Sequence, residues 1–202
     1  LGRRQPGMAT ADFEAQVRRR NIIFRIPTPT FGLGLVETIP DSAIRDNVAA
    51  NTTRGRAYGI RGHVNRARIS GEANHNGNDG TIARFGWKAQ NKSLLLFAAE
   101  AYNVEMGISN EIFPTERDEN PSCQSLPVPN NVTHTESTGS GPEITSNIEN
   151  FAMFMRFLAP PSNVTSAFTT MTAHSVSASS IVSGRNLFSS TGCALCHTPS
   201  FT

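Results

Sequence analysis

The sequence is short of several things. It has three cysteines in 202 residues, too few for the dense disulfide framework of a small secreted scaffold. No stretch approaches 18 consecutive apolar residues, so the sequence offers no helix that would span a membrane. Charge of one sign is not in excess. The net charge of +2 is too small to argue for nucleic acid or a membrane surface as a partner. There is one tryptophan, Trp87, and no internal repeat. Apolar residues make up 38%, ordinary for a globular chain and enough for one or two domains.

Helical signals are separated by long irregular stretches. Residues 10–20 read as a short amphipathic helix with Thr10 or Asp12 as cap and Phe13 and Val17 on its apolar side. Residues 21–40 are broken by Pro27, Pro29, Gly32, Gly34 and Pro40, leaving at most a helical turn near Leu33–Glu37. Asp41 is the expected cap of a short helix through Ala50. Residues 51–80 lack an apolar period and read as a surface excursion. A helix is expected over 91–102, with Leu95, Ala98, Ala99 and Tyr102 on one face. Another is expected over 143–158, with Ile144, Ile148, Phe151, Met155 and Leu158 on one face and Pro160-Pro161 as its stop. The Ser/Thr/Asn-rich run 162–180 reads as a linker, and Ile181–Ser189 as a last helix. The expectation is a mainly α fold with long loops.

The chemistry is concentrated in Cys193-Ala194-Leu195-Cys196-His197. In a C-x-x-C-H string the two thiols add across the vinyl groups of a haem, and the histidine lies under the iron as axial ligand. Cys193 and Cys196 are therefore the candidate covalent attachment points and His197 the candidate iron ligand. A zinc reading needs two further ligands, for which Cys123 and His174 are the loose candidates. A thioredoxin-type dithiol needs a preceding strand, and Ser189-Ser190-Thr191-Gly192 does not read as one. His63, His75, His134 and His174 lie in polar sequence and read as surface residues. Met106 offers a thioether, while Met153 and Met155 read as core. The arginines at 18–20 and at 61, 66 and 68 read as solvated faces, with docking of an acidic redox partner as the alternative. The chain begins at Leu1 and stops five residues past His197. Five residues cannot enclose a haem, so an internal fragment is expected, and covalent haem attachment implies an exported protein.

Several longer strings then align with a known family. They are F-G-L-G-L-V-E-T-I-P-D-S-A-I (31–44), R-F-G-W-K-A (84–89), V-E-M-G-I-S-N-E-I-F-P (104–114), F-L-A-P-P (157–161) and G-C-A-L-C-H-T-P (192–199). In this order they resemble the bacterial di-haem oxidoreductases, periplasmic c-type proteins related to the di-haem cytochrome c peroxidases. The resemblance implies cytochrome c-like domains: 1–160 the C-terminal portion of a first, 161–180 a linker, and 181–202 the start of a second. It implies haem c at Cys193–His197 and a second haem upstream. It also implies Trp87 as a bridge between haems and Glu105 as the acid/base of a peroxidase-like reaction. The implied partners are a small redox protein or an oxidant such as peroxide. A non-catalytic electron carrier or docking module, and a degenerate homologue with a structural role, stay open as alternatives. The sequence departs from the peroxidase pattern at Leu95-Leu96-Phe97, where those relatives carry glutamine. Asn51–Gly62 has no acidic residue, so calcium is not expected there. The family's paired cysteines near residue 123 are reduced to Cys123.

Overall fold

The computed structural model describes residues 13–66, 82–116, 128–133, 144–161 and 177–201. The fold is mainly α. Six α-helices are described: α1 (Phe13–Arg18), α2 (Leu33–Glu37), α3 (Asp41–Gly55), α4 (Leu94–Met106), α5 (Asn147–Phe157) and α6 (Ala178–Ser190). Short 3-10 turns cover Arg56–Tyr58 and Cys193–Leu195. Among the described residues, extended pairing is limited to the isolated bridges Phe85–Asn91 and Asn110–Asn131. None of the described helices is long and apolar enough to cross a membrane.

The chain divides into two compact units, Leu1–Thr30 with Leu94–Met155 and Phe31–Ser93 with Arg156–Thr202. In the first, Leu94, Leu96, Ala98, Ala99, Ile148, Ala152 and Met155 are buried. Full burial of side chains the size of Leu94, Ile148 and Met155 contributes about 1.5–3 kcal/mol each. Tyr102 and Phe151 meet with ring centroids 6.0 Å apart, tying α4 to α5.

Asparagine frames the loops beside this core. Asn110 is fully buried. Its Oδ1 accepts from the backbone N–H groups of Ile112 (3.1 Å) and Phe113 (3.0 Å), and its Nδ2 donates to Ala99 O on α4 at 2.9 Å. Asn131 Oδ1 accepts from Ile148 N (3.2 Å) in the first turn of α5. A buried amide with every polar atom paired fixes a loop without an apolar core of its own.

In the second unit Arg84 does the equivalent work. Its guanidinium donates to the carbonyls of Val36 (3.3 Å), Glu37 (3.4 Å) and Ile39 at the end of α2. It also meets Asp41 Oδ1 at 2.5 Å. A helix C-terminus presents unpaired carbonyls and partial negative charge, which a cation satisfies. Arg156 and Glu37 form a two-pronged pair, Nε–Oε2 2.6 Å and Nη2–Oε1 3.3 Å. The approach at Gly34 is so close that a Cβ there would lie 2.1 Å from Arg156 O.

Several sequence expectations are corrected. The turn at Leu33–Glu37 is found as expected, but α3 runs to Gly55, five residues past Ala50 and into the expected excursion. Asp41 is not its cap. Pro40 occupies that position without a side-chain cap, and the Asp41 carboxylate is drawn instead to Arg84 and to Ile82 N at 3.2 Å. On α4 the buried positions are Leu94, Leu96, Ala98, Ala99 and Asn103, while Leu95 is half-buried. The helix expected from residue 143 begins at Asn147. Ser146 and Glu149 form a reciprocal capping box there, Ser146 N to Glu149 Oε2 at 2.8 Å and Glu149 N to Ser146 Oγ at 3.4 Å. Ile144 therefore lies before the helix and is exposed. The expected cap at Thr10 or Asp12, most of the 162–180 linker, Cys123, His75, His134 and His174 lie outside the described residues.

Candidate functional site

The C-x-x-C-H string is built on the end of α6. Ser177 caps this helix, its hydroxyl accepting from Ser180 N at 3.2 Å. At the other end the Thr191 backbone N–H and hydroxyl both donate to Leu187 O, at 2.9 and 2.7 Å. The chain then reverses through Gly192, at φ 89°, a left-handed conformation that costs other residues energy and suits glycine. The 3-10 turn Cys193–Leu195 follows.

Two hydrogen bonds close the motif on itself. Cys196 N and His197 N both donate to Cys193 O, at 3.2 and 2.9 Å. Cys193 opens the 3-10 turn and Cys196 closes it as the cap residue, at φ −115°. Both are free thiols and both are exposed, as is His197. Thr191 Oγ lies 3.4 Å from Cys193 Sγ. Because the hydroxyl proton is committed to Leu187 O, the thiol is the donor in that contact. Phe188, on the last turn of α6, presents to His197 in an edge-on arrangement, 6.4 Å between centroids and 62° between planes.

The donor set fits a covalent haem. Two thiols at this spacing and an adjacent imidazole are the groups such a ring takes. Leu187 and Phe201, each within six residues of the motif, keep 57% and 41% of their surface exposed. Phe188 is half-buried, whereas Leu187 is exposed. Among the described residues no three His, Cys, Asp or Glu side chains gather into a group able to hold a metal ion, so the zinc reading gains no further ligand there.

The other candidates are dispersed. Trp87 is in the same compact unit as the motif and is 43% exposed. It sits on a turn in which Lys88 (φ 62°) and Ala89 (φ 52°) take left-handed backbone. The Lys88 ammonium lies 5.1 Å from the indole centre, within cation–π range. Glu105 belongs to the other unit, exposed on the last turn of α4. His63 is exposed. Met106 is exposed at the end of α4, Met155 is core as expected, and Met153 is 47% exposed and is not.

The family follows from the whole length of the chain. Residues 7–202 match the family described as "Di-haem oxidoreductase, putative peroxidase". The chain belongs to the di-haem oxidoreductase family. Comparison with curated proteins and with solved structures returns no match. The di-haem assignment agrees with the sequence resemblance, and it covers both compact units.

Proposed function

We propose that this di-haem oxidoreductase chain carries haem c through thioethers at Cys193 and Cys196, with His197 as axial ligand to the iron. The observation that carries the reading is the pair of free, exposed thiols at the two ends of a 3-10 turn, with the imidazole following directly. The bound haem would supply reversible one-electron chemistry. The protein's part is attachment, orientation and burial.

The activity we propose is electron transfer, with a peroxide as the terminal oxidant. Reduction of one hydrogen peroxide takes two electrons and two protons and yields two waters. Trp87 is the proposed relay for electrons: it is an indole on the unit that carries the haem motif, and it is partly open to solvent. Glu105 is the proposed acid/base, moving a proton between the peroxide oxygens. A second haem is assigned upstream of Leu1, and a small redox protein is the proposed electron donor. We assign 1–160 to the C-terminal portion of a first cytochrome c-like domain, 161–180 to a linker and 181–202 to the start of a second. Location in the periplasm follows from covalent attachment, which is carried out on exported chains.

The test is a peroxide titration of the dithionite-reduced, full gene product, followed by its haem absorbance. Reoxidation at two electrons per peroxide supports the enzyme. Haem that stays reduced in excess peroxide, yet is oxidised by an added cytochrome, identifies a carrier.

A further inference from the structure

Thr198 follows His197, and its side chain is held from far away in sequence. Its hydroxyl donates to Asn47 Oδ1 at 2.9 Å and accepts from Asn51 Nδ2 at 3.3 Å. Asn51 Nδ2 also donates to Asn47 Oδ1 at 3.3 Å. The three side chains close a ring. The hydroxyl has one proton, which goes to Asn47, and its lone pairs remain for Asn51. Asn47 and Asn51 are four residues apart on α3 and so share a face. Arg54 Nη2 donates to Asn51 Oδ1 at 2.5 Å, which turns that amide's oxygen to the arginine and its nitrogen to Thr198. All three members of the ring are half-buried.

We infer that Asn47 and Asn51 are positioning residues for His197. Through Thr198 they fix the backbone that carries the imidazole, while Phe188 stands edge-on to the ring itself. The helix that sets the ligand's orientation is thus 147 residues upstream of the residue it holds. Groups behind a metal ligand set its angle and its freedom to tilt. A clasp that served only to pin the chain would not affect the iron's electronic state. This inference rests on the reading of His197 as the haem ligand.

The test uses the full gene product, exported with haem maturation. The ferric paramagnetic resonance signal of this haem is the one missing from Cys193→Ala/Cys196→Ala. In Asn47→Ala/Asn51→Ala, covalent haem stain should stay at the wild-type level, while that signal broadens or splits and the midpoint potential of the same haem shifts. Thr198→Val, which removes only the hydroxyl, should do the same. Thr198→Ser, which keeps it, should match wild type. An unmoved signal and midpoint in both Thr198→Val and the double variant, with haem attached, would overturn the clasp alone. If the cysteine variant loses no stain, the haem reading fails, and the gel reports that separately from the resonance signal.

Discussion

The Arg84 guanidinium and the Asp41 carboxylate meet at 2.5 Å across 43 residues of sequence. The pair joins the end of α2, the start of α3 and the segment beginning at Ile82. The arginine side chain is 9% exposed and the aspartate side chain 21%. Removing one member of such a pair leaves a charge without its partner in a largely dry site, which costs about 3–5 kcal/mol. Arg84→Met and Asp41→Leu should each lower stability by about that amount in urea unfolding. The double variant should recover part of the loss. It will not recover all of it, because Arg84 also satisfies four carbonyls, those of Val36, Glu37, Ile39 and Ile82.

Two glycines should answer to alanine with opposite sign. At Gly34 a Cβ would lie 2.1 Å from Arg156 O, an overlap that only a backbone shift relieves. Overpacking of this kind costs about 1–3 kcal/mol or more, and the melting temperature should fall. At Gly184, inside α6, a Cβ meets nothing within 4 Å. Alanine there should stabilise by about 0.5–1 kcal/mol through helix propensity. Thermal melts of the two variants side by side check both signs.

The start of α5 depends on its capping box. Ser146→Ala removes the acceptor for Glu149 N and should cost about 1 kcal/mol. Asn131→Ala removes the acceptor for Ile148 N and leaves that buried donor unpaired, for a loss of about 1–3 kcal/mol. Amide hydrogen exchange over 147–150 should accelerate in both variants. Unchanged exchange would show that the helix holds itself through its packing alone.

If Glu105 and Trp87 have their proposed roles, two kinetic losses separate. Glu105→Gln keeps the shape of the side chain and removes its base. It should slow peroxide turnover by about 10²–10⁴-fold, the range that general acid–base catalysis supplies, while leaving reduction of the haems by the donor unchanged. Trp87→Leu should slow electron arrival instead, read by stopped-flow before any peroxide is added. Equal turnover in Glu105→Gln and wild type would remove that residue from the chemistry.

The parts of the molecule written locally in the sequence were the legible parts. The turn at Leu33–Glu37 lies between glycines and prolines and was found at its expected bounds. The C-x-x-C-H turn is encoded within a few residues. The extension of α3 to Gly55 was hidden because its sequence has little apolar period. Its Asn47–Asn51 face is used for a polar clasp, and the partner, Thr198, is 147 residues away from Asn51. Asp41 reads locally as a helix cap, and a distant arginine takes its carboxylate instead. The start of α5 was misplaced because Ile144 continues the apolar spacing, whereas the backbone starts at the Ser146–Glu149 box. The asparagine frame around Asn110 and Asn131 left no periodic signal at all, since polar loop residues buried by their own hydrogen bonds look like any other polar loop.

The functional reading stands or falls on the proposed covalent haem at Cys193 and Cys196. The most direct measurement is a haem stain on a denaturing gel, with a pyridine haemochrome count, of the exported full gene product beside Cys193→Ala/Cys196→Ala. Two covalent haems are expected in the wild type and one in the variant. A variant that stains like wild type, or a wild type with no covalent haem, would contradict it.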